Sequence, residues 1–245
     1  MAAIVRRGLA SIALIGALLL ALAGNGYAFD RAEPRIAHYI SEDTGIGFVL
    51  DRSGELAKLK FDSSEEIFAL RWQPAAGGDR LLLRDDGVVV LRLSGLGCIT
   101  LFTPANARGV PVAFDRQAGP LSPVPPSIQS VRDIAGQIMS RLRAEVGRDI
   151  VFEADWGRVA MDEGARGILF DAIRNAGTAL YNVANTAAGR ASLGRSVQRV
   201  RFVQGRAPGV YISAGMVVVS YSVEQGLAGR PSSYAIERAL SQFMR

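Results

Sequence analysis

Two carboxylates stand two residues apart in a segment whose apolar pattern is that of a β-strand. Glu153 and Asp155 would project from the same face of this strand, because successive side chains point to opposite faces. Glycosidases use two carboxyl groups roughly 5–9.5 Å apart, one as acid and the other as base or nucleophile. Trp156 follows directly and would give a sugar ring an aromatic surface. The pair therefore makes a carbohydrate-active hydrolase one alternative, and an ordinary solvated strand face is the other.

Arginines form the second group of chemically interesting side chains. Residues 172–223 contain six arginines and no acidic residue. Arginine holds carboxylate and phosphate groups through two parallel hydrogen bonds. We predict a binding surface for anionic lipid, the phosphates of lipopolysaccharide or an acidic polymer, made of Arg195, Arg199, Arg201 and Arg206. The alternative is that these arginines pair with the acidic segment 149–163 inside the folded protein.

Other catalytic chemistries lack the residues they need. The chain has one histidine, His38, and one cysteine, Cys98, which nearly excludes a zinc site of the common type. We expect His38 to be a surface or packing residue in an N-terminal arm, and Cys98 to be a small core residue of a strand. The sequence has no nucleophile elbow, phosphate-binding loop, dinucleotide motif or EF-hand loop. No metal site and no cofactor is predicted, and the sequence favours a protein that is not an enzyme.

The elements that position these residues fall into two lobes. Residues 35–116 show short apolar runs separated by turn residues, which predicts six or seven antiparallel strands in a sandwich or barrel-like lobe. Asp86-Gly87 between two such runs is a strong hairpin signal. Residues 117–127 contain four prolines and form an extended linker.

The second lobe, residues 128–245, has a mixed pattern. A helix is predicted from Ile128, capped by Ser127 and ended by Gly147, because apolar residues recur at helical spacing. A strand is predicted from Asp149 to Trp156, with Ile150, Phe152, Ala154 and Trp156 on one face. A helix follows from Asp162 to about residue 188 and could kink or split near Gly177. Three further strands and a final helix capped by Ser232 complete the order α-β-α-β-β-β-α. The fold class is therefore α+β.

The first 28 residues predict export. Two arginines precede an uncharged apolar run over residues 9–23, and small residues follow at Gly26 and Ala28, as in a secretory signal with its cleavage site. The alternative is an uncleaved membrane anchor, which would be the chain's only membrane contact. Without these residues the chain keeps 26 basic and 23 acidic residues, a net charge of +3. That charge is too small to indicate a nucleic-acid partner.

The chain resembles an uncharacterised family of exported proteins, a domain-of-unknown-function family found mainly in alphaproteobacteria. The resemblance implies no activity, cofactor or site residue. In the first lobe it rests on Gly47-Phe48-Val49-Leu50-Asp51-Arg52-Ser53-Gly54, Ala69-Leu70-Arg71-Trp72, Gly78-Asp79-Arg80-Leu81 and Thr100-Leu101-Phe102-Thr103-Pro104. In the second lobe it rests on Phe152-Glu153-Ala154-Asp155-Trp156 and Gly226-Leu227-Ala228-Gly229-Arg230-Pro231-Ser232-Ser233.

Three functions remain open from the sequence. The first is a non-catalytic protein of the periplasm or cell envelope that binds an anionic envelope component or a protein partner through the four arginines. The second is the hydrolase that would use Glu153 and Asp155. The third is a small-ligand binder between the lobes, which requires a closed apolar pocket near the proline linker.

Overall fold

The structure is a computed structural model that describes residues 34–244. The described residues from Arg35 onward belong to one compact unit. The signal peptide predicted for residues 1–28 lies outside the described residues. No helix in the described part of the chain has both the length and the apolar character needed to cross a bilayer.

The first lobe is a closed barrel of eight strands. Every strand pairs with the next in antiparallel fashion, and the last strand pairs back with the first, so the barrel has no free edge. This confirms an antiparallel, barrel-like lobe. The strands are β1 (Ile36–Ile40), β2 (Gly47–Asp51), β3 (Ala57–Phe61), β4 (Ile67–Pro74), β5 (Arg80–Leu83), β6 (Val89–Leu93), β7 (Ile99–Thr103) and β8 (Asn106–Gln117).

Alternating side chains fill the barrel. Tyr39, Phe48, Leu50, Leu59 and Leu70 are among its buried residues. Tyr39 stacks on Phe48 with the ring centroids 5.7 Å apart. The Asp86–Gly87 hairpin is confirmed, since Gly87 has a φ of +82°, a conformation that favours glycine.

Two expectations for this lobe were wrong. His38 lies in strand β1, not in an N-terminal arm, although its burial fits the packing role that the sequence predicted. The alternation that marks a strand is weak there, because Ala37, His38 and Tyr39 are all buried. Cys98 is exposed in the turn before β7, so it is not a core residue.

The second lobe is a four-stranded sheet with helices packed on one face. The strands are β9 (Val151–Glu153), β10 (Arg199–Gln204), β11 (Gly209–Ser213) and β12 (Met216–Tyr221), arranged in the order β11-β12-β10-β9. Strands β9, β10 and β12 run parallel, and β11 is antiparallel to β12. The helices are α1 (Ile128–Val146), α2 (Trp156–Met161), α3 (Glu163–Ala184), α4 (Ala187–Ser196) and α5 (Ser233–Phe243).

The α+β class is confirmed, but the chain between β9 and β10 forms three helices, where the sequence predicted one. The predicted caps hold: the side chains of Ser127, Asp162 and Ser232 each accept a hydrogen bond from the first turn of a helix. Gly147 ends α1 with a φ of +77°. The proposed split at Gly177 was wrong, because α3 runs unbroken through that residue.

The proline linker lies along the barrel and is tied to it by a buried carboxylate. Residues 118–127 have no regular secondary structure. The backbone N–H of Leu121 donates to Asp51 Oδ2 at 3.0 Å, and Lys58 Nζ donates to the carbonyl oxygen of Leu121 at 3.0 Å. Burial by itself would raise the pKa of Asp51, but hydrogen bonds from Ser53 and Leu121 and the charge of Lys58 lower it below its usual value.

A polar latch joins the two lobes, and we define it as Glu66, Asp85, Arg230, Ser232 and Ser233. Asp85 accepts from the backbone N–H and the hydroxyl of Ser232 at 2.7 and 2.6 Å. Glu66 accepts from the same two groups of Ser233 at 2.9 and 2.5 Å. Both carboxylates belong to the barrel, and both serines stand at the start of α5, so this helix is anchored on the first lobe.

Arg230 completes the latch from a buried position. Its Nη2 donates to the carbonyl oxygen of Ile67 in β4 at 2.6 Å, and its Nε donates to Asp171 of α3 at 3.3 Å. The motif Gly226–Ser233, which carries part of the family resemblance, therefore has a structural role where the lobes meet.

Candidate anion-binding pocket

The face of the second sheet opposite the helices carries the two central arginines of the sequence prediction. Arg199 and Arg201 alternate along β10 with the buried residues Val200 and Phe202. The structure therefore places both guanidinium groups on the exposed face. Tyr211 of β11 is 60% exposed on the same sheet.

Arg199 is already engaged by an acidic side chain. Its Nη1 donates to Glu153 Oε1 of the neighbouring strand β9 at 3.2 Å. At this position the pairing of the acidic and basic segments, the alternative left open by the sequence, is what the structure shows. The charge of Glu153 is thereby neutralised.

Arg201 stands in a different environment. It lines a pocket of about 500 Å³ together with Arg158 of α2. Among residues 34–244, neither guanidinium forms an ion pair with an acidic side chain. The complete lining is Glu153, Ala154, Asp155, Arg158, Arg201, Phe202, Val203, Gln204 and Tyr221.

The pocket lies where three parallel strands end. Strands β9, β10 and β12 finish at Glu153, Gln204 and Tyr221, and all three of these residues line it. In open α/β sheets, ligands bind outside the carboxyl ends of the parallel strands. The position of the pocket is therefore the one that sheet topology favours for a binding site.

The other two predicted arginines lie elsewhere. Arg195 belongs to the last turn of α4, before β10, and Arg206 lies in the loop after it. The six residues of β10 span about 20 Å. The four arginines therefore do not form one compact cluster, and of the four only Arg201 lines the pocket.

Both candidate catalytic carboxylates line the pocket, and both make structural contacts. Glu153 is held by Arg199, as described. Asp155 caps α2, since its Oδ1 accepts from the backbone N–H of Arg158 at 3.0 Å. Charged carboxylates make such contacts best, whereas a glycosidase needs one carboxyl group protonated as its acid. The hydrolase stays a prediction that these contacts do not favour.

Two polar residues of the pocket were missed by the sequence reasoning. The side-chain oxygen of Gln204 is buried and has no hydrogen-bond partner, an arrangement that costs free energy in a folded protein. Tyr221 is buried at the end of β12, and burial raises the pKa of its phenol. Sequence spacing gave no signal for either residue, because strand ends meet only in the folded sheet.

His38 is a packing residue and takes no part in this pocket. Its Nδ1 lies 2.8 Å from Asp115 and its Nε2 lies 2.9 Å from Asp62. Gly47 makes room for this contact, because a Cβ there would meet Asp62 Oδ2 at 2.1 Å. In the described part of the chain, no group of three or more His, Cys, Asp or Glu residues could hold a metal ion.

A second concave region lies between the lobes, beside the proline linker. It has a volume of about 580 Å³. Apolar residues such as Ile67, Phe170 and Leu227 share its lining with the charged residues Lys60 and Arg174. The groove is thus amphipathic, unlike the wholly apolar pocket that the sequence reasoning required for a ligand binder between the lobes.

Comparison with curated proteins and with solved structures finds no match. A family model described as "Domain of unknown function (DUF4908)" matches residues 20–240. Because this match covers most of the chain, the protein belongs to that family of uncharacterised domains.

Proposed function

We propose that the protein is an exported, non-catalytic binding protein of the cell envelope that holds an anionic group of an envelope polymer at Arg201. One observation carries the proposal: Arg201 and Arg158 share a concave pocket and have no acidic partner in the described chain. Two guanidinium groups so placed can offer several charge-assisted hydrogen bonds to one carboxylate or phosphate.

The local charge balance supports an anion. The pocket contains two arginines and two acids, but Glu153 is neutralised by Arg199. The charge of Asp155 is stabilised by the N-terminus of α2, which it caps. An entering anion therefore meets a net positive charge on the side of the pocket that the arginines form.

The shape favours a pendant group on a polymer over a flat lipid surface. A bilayer would contact many cations at one level, but Arg195 and Arg206 lie at opposite ends of β10. A concave pocket of about 500 Å³, in the size range of ordinary ligand sites, instead has room for one pendant unit of a polymer together with its anionic group.

Co-sedimentation tests the binding. The purified protein is mixed with isolated cell-wall sacculi and, separately, with anionic lipid vesicles, at low and high salt. We expect pelleting with sacculi that high salt abolishes, because the contact is electrostatic. Arg201→Gln should lose this pelleting and Arg195→Gln should keep it. Pelleting with vesicles alone, or equal pelleting of both variants, would overturn the proposal.

Export needs a separate test. The segment 1–28 has the pattern of a cleaved secretory signal, so the protein recovered from cells should begin near Phe29. Intact-mass measurement of the protein from fractionated cells decides this. A full-length cytoplasmic species would contradict the envelope assignment and leave the anion pocket to be explained by another partner.

The groove beside the proline linker supports a second candidate, a small-ligand binder between the lobes. Its mixture of Phe170 and Leu227 with Lys60 and Arg174 fits an amphiphile with an anionic head. Titration with a medium-chain fatty acid tests this candidate. Binding that Phe170→Ser weakens would support it, and binding that is absent or insensitive to the change would remove it.

A further inference from the structure

We infer that the pocket around Arg201 recognises a hydroxylated acid, such as a sugar bearing a carboxylate or phosphate. In this inference the side chain of Gln204 accepts a hydrogen bond from the hydroxyl. This inference rests on the proposed function and narrows its ligand class. The observations behind it are two arginines without an acidic partner and an amide oxygen without a hydrogen-bond partner, on three residues that line the same pocket at the ends of the strands.

The arginines define the acidic part of the ligand. Arg158 comes from α2 and Arg201 from β10, so the two guanidinium groups reach the pocket from different elements. Guanidinium groups match the planar geometry of carboxylate and the tetrahedral oxygens of phosphate. Either anion could therefore occupy this side of the pocket, and the distinction is left to the experiment.

Gln204 defines the second part of the ligand. Its Oε1 is buried and unpaired, and a buried acceptor without a donor is destabilising. A ligand hydroxyl is a donor that would satisfy it. The terminal torsion of a glutamine side chain is soft, so the amide can turn towards a hydroxyl of a ligand in the pocket that Gln204 lines.

The size and the apolar part of the pocket argue against a simple inorganic ion as its ligand. The volume of about 500 Å³ far exceeds that of a single phosphate or acetate. Val203, which is 39% exposed, contributes apolar surface to the lining, which suits the carbon face of a sugar ring. A neutral sugar would gain no charge-assisted hydrogen bond from either exposed arginine, and a small acid would leave Gln204 Oε1 without a donor.

Calorimetric titration with five probes tests the inference. The probes are glucuronate, glucose 6-phosphate, glucose, acetate and inorganic phosphate, each added to the protein purified after expression of the full chain. We expect one of the two sugar acids to bind at least about tenfold more tightly than glucose, acetate or phosphate, which is a readily measured difference. Whichever sugar acid binds more tightly identifies the anion.

Two variants assign the contacts. Arg201→Gln should abolish binding of the sugar acid. Gln204→Leu should reduce the preference for the sugar acid over acetate without lowering the melting temperature, because it removes a buried unpaired acceptor. Gln137→Leu, an exposed site on α1, is the matched control and should change nothing. A purely structural Gln204 would lower the melting temperature and leave the preference unchanged.

The outcomes distinguish a wrong ligand class from a wrong anion-binding function. If sacculi pellet the protein through Arg201 but no sugar acid is preferred over acetate, the hydroxylated-acid inference is wrong and the anion-binding function stands. If neither sacculi nor any acid binds, both are wrong. Equal binding of glucose and glucuronate would also overturn the inference, since the arginines would then play no part.

Discussion

Burial raises the pKa of a carboxyl group, and hydrogen bonds to its charged form lower it. Asp51 and Glu66 show the two opposite outcomes in this protein. Asp51 is fully buried, and Glu66 is partly buried. The pKa of Asp51 is lowered, because hydrogen bonds and a lysine outweigh its burial. The pKa of Glu66 is raised, because burial outweighs its hydrogen bonds from Ser233 and the nearby charge of Arg230. Their contributions to stability therefore have opposite pH dependence.

Replacing Asp51 with asparagine should destabilise the protein by about 1–3 kcal/mol. The new amide N–H₂ would face either the donors on Ser53 or those on Leu121 and Lys58. A lowered folded-state pKa means that the stabilisation is present above the unfolded value near 3.8 and lost as the pH falls through the folded pKa. The free energies of unfolding of wild type and Asp51→Asn, measured in urea, should converge below the folded-state pKa of Asp51. Asp43→Asn, at an exposed loop position, is the control. A difference in unfolding free energy that does not depend on pH would show that the charge of Asp51 does not stabilise the fold.

Glu66→Gln should show the opposite pH dependence of stability to Asp51→Asn. A raised folded-state pKa means that the folded protein holds the proton more tightly, so the contribution is present at low pH and lost as the pH rises through the folded pKa. The variant does not titrate. Its free energy of unfolding relative to wild type should therefore increase as the pH rises above about 4.5, the ordinary value. A difference that falls with rising pH would show that the charged carboxylate is the favoured partner of Ser233.

The candidate site was only partly predictable at the residue level. Arg201 could be found from the acid-free stretch and from its alternation with apolar residues. Arg158 was hidden inside an acidic segment, and Asp155 was interpreted as a catalytic candidate although its observed role is to cap α2. A lone aspartate serves either purpose, and only the helix that follows it distinguishes them.

At the level of elements, the errors have local physical causes. The sequence predicted one helix through residue 188, but Thr186 caps a new helix, α4. Trp156 was assigned to a strand because it continued the alternation of Ile150 and Phe152, whereas the cap at Asp155 starts α2 there. Periodicity found the long helices α1 and α3, whose apolar faces are continuous, and missed the shorter ones.

Helix α3 stays intact at Gly177, although glycine weakens helices, and a substitution at this residue tests the reason. Alanine favours a helix over glycine by about 1 kcal/mol, but a Cβ at this position would meet Ile138 Cδ1 of α1 at 2.8 Å. Gly177→Ala should therefore destabilise the protein in thermal unfolding. Gly136→Ala on α1, where nothing lies within 4 Å of the added carbon, should stabilise it. Stabilisation by both changes would show that α1 and α3 do not approach this closely.

At the scale of the whole molecule, the packing of the lobes depends on contacts that no local pattern reveals. Ser233 and Glu66 are 167 positions apart in the chain, and Ser232 and Asp85 are 147 apart. Sequence patterns gave the class of each lobe. They could not indicate that the Gly226–Ser233 motif inserts its serines between barrel carboxylates.

Arg230→Met should weaken the contact between the lobes and cost about 3–5 kcal/mol, because Asp171 and the carbonyl of Ile67 lose a buried charged partner. The two tryptophans report on the lobes separately, since Trp72 lies in β4 and Trp156 in α2. Single-tryptophan versions of the otherwise wild-type protein should unfold in urea at one midpoint. With Arg230→Met the two midpoints should separate, whereas Arg132→Met, exposed on α1, should leave them together.

The most direct test of the anion pocket is the affinity for solubilised envelope polymer, measured at low salt for wild type, Arg201→Gln and Glu153→Gln. Glu153→Gln releases Arg199 from its ion pair and so adds a free cation beside the pocket. We predict the tightest binding for Glu153→Gln, weaker binding for wild type and loss of binding for Arg201→Gln. Unchanged binding by Arg201→Gln, or loss of binding by Glu153→Gln, would contradict an anion site at Arg201.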